Sequence, residues 1–321
     1  HDTTLGPAAG GTRMKVYPSP AEGLADAMRL AEGMTYKWAG VGMDQGGGKA
    51  VIALERPPLA AQLSDVFARY GRLLESLNGA FATGPDVGMG PDRMAMVARH
   101  TRWVVGAVDG DAPDPGIFTA HGVAAGIEAA VGVVQGRGLA GVSVLVQGLG
   151  DVGAPLVDEL ARRGADLLVA DLDPQRSAAA QARWNATPVD ADHVYDTECD
   201  VYAPCALGGT LDADVISRLR CAIVAGSANN QFSTTEDPAR AHDTGIVVVP
   251  DYIINAGGAF AVTRMSQGVR DVEVLMQEVG GIGPRVAEIL ADASADHVPP
   301  LVAAQRRVDR LLAERGSPRY R

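Results

Sequence analysis

A short apolar run, Val142-Ser143-Val144-Leu145-Val146, leads into Gly148-Leu149-Gly150-Asp151-Val152-Gly153 and then into helical apolar spacing over 154–163. Strand, G-x-G-x-x-G turn and helix in that order admit few folds. The first glycine permits the tight turn, the second lets the backbone approach a pyrophosphate, and the third lets helix pack on strand. Free N–H groups and the positive dipole end of the helix complete an anion site. The chain needs a local one. With Lys+Arg 28 against Asp+Glu 39 its net charge is −11, so no global field attracts a nucleic-acid backbone or an anionic membrane. Beyond this motif, strands at 166–170, 201–203, 221–225 and 246–249 and helices such as 175–184 continue a strand–helix alternation. That alternation predicts an α/β fold with a parallel, doubly wound sheet of Rossmann type.

Asp171 ends the next strand, 18 residues past Gly153. A carboxylate there would bond both ribose hydroxyls and repel a 2′-phosphate, which reads as NAD rather than NADP. Arg176, the nearest downstream cation, falls inside the following helix. Asp171 also fits a loop carboxylate or helix cap. The first third carries helices over 21–41 and 63–77, strands over 49–54 and 80–83, and a Gly84-Pro85-Asp86 turn. From about 271 the pattern is helical, broken at Pro299-Pro300 and closed by a charged helix over 302–315.

At 321 residues the chain is long enough for two domains. Cys199, Cys205 and Cys221 are scattered and form no C-x-x-C, which reads as a reduced, cytoplasmic protein. No uninterrupted apolar stretch of about 18 residues suggests a spanning helix. His1-Asp2-Thr3-Thr4 reads as a strand end entering a turn, so the expectation is a chain that begins inside a domain. The six histidines show no metal-ligand spacing and no G-x-S-x-G elbow occurs, so neither a metal nor hydrolase chemistry is expected.

Lys37 and Lys49 flank Gly46-Gly47-Gly48. A lysine behind three glycines can be approached closely by a ligand. On spacing alone, a solvated helix lysine and a snorkelling strand end fit as well. The segments GPAAGGTR (6–13), MTYK and GGGK (34–49), GPDVG (84–88), QGLGDVG (147–153), YAPCALGG (202–209), GSANNQ (226–231) and PDYIINAGG (250–258) together resemble the glutamate/leucine/phenylalanine/valine dehydrogenase family, in order along nearly the whole chain.

The resemblance implies NAD-dependent oxidative deamination of an L-amino acid to the 2-oxo acid and ammonium, and the reverse. By it, Lys37 binds the substrate carboxylate, Lys49 activates the attacking water, and Asp86 moves protons to and from the departing nitrogen. Asn229 holds substrate and nicotinamide ribose in register, and Thr119 lies near the carboxamide. Asn255 orients backbone beside the nicotinamide, with a helix N-cap as its alternative. The expected cofactor-binding set is Gly148, Gly150, Asp151, Val152, Gly153, Asp171, Thr119 and Asn255. Two neighbouring ammonium groups should each lower the other's pKa, so Lys49 should act as a base near neutral to mildly alkaline pH. Cys205 reads as a small packing residue.

Glutamate-specific members carry a lysine where this chain has Ala9, and an uncompensated buried carboxylate is costly. The implied side-chain pocket, Ala9, Gly84, Ala259 and Val262, is apolar and small-residued. It suits phenylalanine or another bulky apolar amino acid, with branched-chain substrates close behind. Gln45, in a place usually apolar, admits a less usual substrate. Two domains with an active-site cleft between them are expected: 1–116 for substrate and subunit contacts, 117–269 for NAD, and 270–321 returning to the first. A homo-oligomer follows from the resemblance. The rivals are the same chemistry on glutamate or tryptophan, another Rossmann oxidoreductase, or a non-enzymatic NAD-binding homologue.

Overall fold

The computed structural model describes residues 1–106 and 113–316. The chain folds as two compact units, one of His1–Ala112, Met265–Gly268 and Val308–Arg321, the other of Pro113–Arg264 and Val269–Arg307. The boundary falls a few residues before the expected 116. The tail is a larger correction: most of 270–321 joins the second unit, and only its last part joins the first. Burial decides this, because the apolar faces of the tail helices lie against a helix of the second unit.

In the first unit, β1 (Ala8–Val16) is the central strand. On one side it pairs in parallel with β2 (Gly46–Gly47) and β3 (Ala50–Leu54) at one unbroken register, Ala9 opposite Gly47 and Thr12 opposite Ala50. Gly48-Lys49 sits in the gap between the two paired stretches. On its other side β1 pairs with β4 (Phe81–Gly84). Between β1 and β2 runs α1 (Pro20–Gly40), started by Ser19, whose side chain caps Glu22 N, and by Pro20 at a position where no N–H is required. Next come α2 (Ala60–Ser76) and α3 (Pro91–Ala98), whose apolar faces cover Met14 with Phe67, Leu74, Met94 and Val97. The sequence reading missed β1. Its paired glycines lower strand propensity, and only the close approach of neighbouring strands explains them: a Cβ on Gly10 would lie 1.8 Å from Gly48 O.

The second unit opens with α4 (Pro115–Gln135) and carries β5 (Ser143–Gln147), α5 (Gly153–Arg162), β6 (Asp166–Ala170), α6 (Pro174–Trp184) and β7 (Thr187–Pro188). Then follow β8 (Val201–Pro204), α7 (Ala213–Arg218), β9 (Ile223–Val224), α8 (Asp237–Asp243) and β10 (Val247–Val248). The six strands are parallel in the order β10-β9-β8-β5-β6-β7. The order reverses between β5 and β8, the switch point at which such sheets bind ligands.

The remaining helices are α9 (Asp251–Ile254), α10 (Gly257–Ser266), α11 (Val272–Gly280), α12 (Ile282–Asp296) and α13 (Pro300–Arg315). By length and composition α4 could cross a membrane, contrary to the expectation that no helix could. Its apolarity has a packing cause. It is wrapped by α5, α11 and α12, and a Cβ on Gly126 would lie 2.6 Å from Ile254 Cγ1, so small residues set the helix spacing.

Candidate active site

In the first unit the two residues expected to be catalytic are in contact: Lys49 Nζ lies 2.7 Å from Asp86 Oδ2, with the lysine side chain 8% exposed and the aspartate 20%. Lys49 reaches it from the gap between β2 and β3, and Asp86 from the turn after β4. Gly11 leaves the room between them, since a Cβ there would stand 3.0 Å from Asp86 Cβ and 3.4 Å from Lys49 Nζ. Ala9 is buried two residues earlier on the same strand, and its carbonyl accepts from Trp38 Nε1 at 2.9 Å. Lys37 stands half-buried in the last turn of α1. That helix is pressed against β2, where a Cβ on Gly47 would lie 2.0 Å from Thr35 Oγ1.

Sequence reasoning missed Arg13. Its Nε donates to Asp86 Oδ2 at 3.1 Å, and its NH1 to Asp26 Oδ2 at 3.0 Å. Tyr17 OH and Arg29 also donate to Asp26. Asp86 Oδ2 is therefore shared by a lysine and an arginine. Within GGTR, Arg13 reads as one more surface cation until β1 is placed at the centre of the sheet.

Burial pushes the Lys49 ammonium below its ordinary pKa, against the opposing pull of Asp86, and Arg13 adds to the depression. The expected direction holds, but the leading cause is desolvation rather than a neighbouring cation, and Arg13, which was not foreseen, adds to it. Burial disfavours the Asp86 carboxylate, yet Lys49, the Val87 N–H and Arg13 outweigh it and hold the pKa below the usual range. A poised amine and an ionised carboxylate in contact can pass protons to and from a small substrate.

In the second unit each glycine of the loop shows its own reason. Gly148 has φ +91°, and a Cβ on it would meet Ala206 at 2.9 Å. Gly153 faces Gly148 O, which a Cβ would approach to 1.8 Å. Gly150 is open, with only Arg176 NH1 near at 3.8 Å from a notional Cβ. Val152 precedes the first turn of α5, and Asp151 is exposed beside it.

Asp171 accepts from Leu149 N at 2.6 Å and from Asp173 N at 2.8 Å, so its carboxylate shapes the loop as well as bordering it. Arg176 lies 3.7 Å from Asp171 Oδ2. Thr119 Oγ1 accepts from Gly258 N, tying the start of α10 to α4. Asn255 Nδ2 donates to Asn229 Oδ1 at 2.8 Å and to Ser227 O at 3.2 Å, so these two predicted residues meet directly. Asn255 closes α9 at its C-terminal end, two residues before α10 begins at Gly257.

Gln231, another residue not foreseen, is buried and holds the same loop through Gly226 O and Ala228 O. Burial keeps the Cys205 thiol above its ordinary pKa, as fits a packing residue. Ala9 and Gly84 belong to the first unit, Ala259 and Val262 to α10 in the second.

Two family models match the chain: "Glu/Leu/Phe/Val dehydrogenase, dimerisation domain" over residues 1–103, and "Glutamate/Leucine/Phenylalanine/Valine dehydrogenase" over 169–282. The chain is 40% identical over 318 residues to leucine dehydrogenase of Bacillus subtilis (strain 168), covering 98% of this chain and 85% of that protein. It is 37% identical over 324 residues to phenylalanine dehydrogenase of Bacillus thermotolerans, covering 98% and 84%. The crystal structure of L-tryptophan dehydrogenase from Nostoc punctiforme superposes with a TM-score of 0.89 at 37% identity, covering 98% of this chain and 90% of that one.

Proposed function

Because the chain belongs to the glutamate/leucine/phenylalanine/valine dehydrogenase family, we propose that it deaminates a bulky apolar L-amino acid oxidatively, with NAD as hydride acceptor. The observation that carries this reading is the buried Lys49–Asp86 contact, packed against Gly11 where no side chain would fit. The dinucleotide supplies the hydride acceptor. The open Gly150 and the first turn of α5 suit its pyrophosphate, while Asp171 suits the ribose hydroxyls. Neutral Lys49 takes a proton from the water that attacks the imine carbon, and Asp86 exchanges protons with the departing nitrogen. Lys37 is the proposed partner of the substrate carboxylate.

Ala9 offers no charge to a second carboxylate, which argues against glutamate. Phenylalanine, leucine and valine are the first substrates to test. A second reading, tryptophan, is favoured by the likeness to the tryptophan dehydrogenase structure. A homo-oligomer accords with the match to a dimerisation domain, and a reducing, cytoplasmic setting with three free thiols.

The test is NADH formation by the purified protein with L-phenylalanine, L-leucine, L-valine, L-tryptophan and L-glutamate. The largest kcat/KM is expected for a bulky apolar substrate. A clear valine preference overturns the size argument, and NAD binding without turnover of any amino acid overturns the enzymatic reading.

A further inference from the structure

Cys199 and Cys221 are 22 positions apart in sequence and adjacent in space. β8 and β9 pair in parallel with Val201 opposite Ile223 and Tyr202 opposite Val224. Just before these strands begin, Cys199 N bonds Arg220 O at 3.2 Å, which brings Cys199 alongside Cys221, and the two sulfurs lie within hydrogen-bonding reach of each other. Neighbouring strands run roughly 5 Å apart, within the roughly 4.4–6.8 Å of Cα separation that a disulfide spans, so sulfurs in contact here need little backbone movement to join. Both residues pack into one apolar cluster with Tyr202, Ile216 and Val224.

Both also line a cavity of about 730 Å³, with Ser143, Asp200, Arg220 and Thr244 around it. The two cysteines precede β8 and β9, so this cavity lies at the N-terminal ends of the strands. The glycine loop lies at their C-terminal ends, and nothing in the dehydrogenase reading uses the cavity or the thiols.

We propose that Cys199 and Cys221 form an oxidisable dithiol site, reached through this cavity, that closes to a reversible intramolecular disulfide on exposure to a small peroxide. The Cys199 and Cys221 sulfurs contact each other, and the N–H groups of Tyr202 and Ile223 face Cys221; together they outweigh burial and hold Cys221 below its ordinary pKa. The contact with Cys221 and burial push the Cys199 thiol up. Cys221, whose sulfur faces two backbone N–H groups able to stabilise a thiolate, is the sulfur assigned to the attack.

Its thiolate attacks one peroxide oxygen, the O–O bond breaks, and a sulfenic acid forms while hydroxide takes up a proton and leaves as water. The Cys199 sulfur then displaces the sulfenic oxygen, which departs as a second water with the Cys199 proton. The two sulfurs lose two electrons and the peroxide gains two.

The test treats the whole chain with hydrogen peroxide and maps its peptides without reduction. A Cys199–Cys221 cross-link is expected, with loss of two of the three free thiols on titration and full recovery with dithiothreitol. Cys205→Ser should leave the cross-link intact, whereas Cys199→Ser and Cys221→Ser should each abolish it. The wild-type map decides the matter even if a variant fails to fold. Two unlinked thiols, separate sulfinic acids, or a link to Cys205 or to a second copy would overturn the proposal. The readout does not depend on any amino-acid substrate, so it stands apart from the outcome of the activity screen.

Discussion

Arg13 joins two carboxylates, and each gives it a different consequence. Through Asp86 it touches the proposed proton-transfer pair, which makes a positioning role testable. Arg13→Gln should raise the Asp86 pKa towards its ordinary value and move the acidic limb of the kcat/KM–pH profile upward, with Arg13→Lys restoring part of it. A profile unmoved by Arg13→Gln would leave Arg13 a purely structural role. Lys49→Ala should cost about 10²- to 10⁴-fold in kcat and remove the limb that rises as the buried ammonium loses its proton.

Through Asp26 the same arginine supports the fold. Burial opposes ionisation of Asp26, but Tyr17, Arg29 and Arg13 lower its pKa from 3.8 to about 2. A carboxylate depressed in the folded state adds stability above its unfolded pKa and loses it as pH falls through the folded one. Asp26→Asn should therefore cost about 2 kcal/mol at neutral pH and flatten acid unfolding between about pH 4 and 2, read by denaturant titration across that range. Lys49 and Asp86 were legible as residue types at matched positions. Arg13 was not, because a lone arginine carries no signal until its two partners converge on it.

At the scale of elements, the glycine loop separates binding from stability. Gly150→Ala meets nothing closer than an arginine tip, so melting should be unchanged while the dinucleotide Kd rises tenfold or more, about 1.4 kcal/mol. Gly153→Ala would drive a methyl group into Gly148 O and should lower Tm as well as affinity. Calorimetry with cofactor titration on both variants distinguishes the two effects. The β5–α5 motif could be read in advance because each of its residues answers to a local requirement. The central strand β1 could not: its glycines are dictated by neighbours 38 positions away, and a window of nine residues contains none of them.

At the scale of the whole molecule, the two units are not two halves of the chain. Val308, Leu311 and Leu312 of α13 pack on Leu5, Tyr36 and Ala39, and Tyr36 OH donates to Asp309 at 2.8 Å. Val308→Ala should cost about 1–3 kcal/mol in chemical denaturation. The same substitution should leave unchanged the dinucleotide affinity conferred by residues of the other unit. Equal loss of both would show that the tail serves the molecule differently.

The sequence by itself determined what local rules govern: the alternation of strand and helix, the glycine turn with its helix start, and the order of motifs that marks the family. Periodicity and backbone conformation are properties of short windows, so one chain carries them openly. Only the tertiary structure decided which groups become neighbours. It gave Asp86 a second cation, assigned burial rather than a second ammonium as the main cause of the Lys49 shift, sent α11 and α12 to the second unit, and set Cys199 beside Cys221. Each of these depends on which strands align and which faces lose water, and neither is encoded at a fixed spacing.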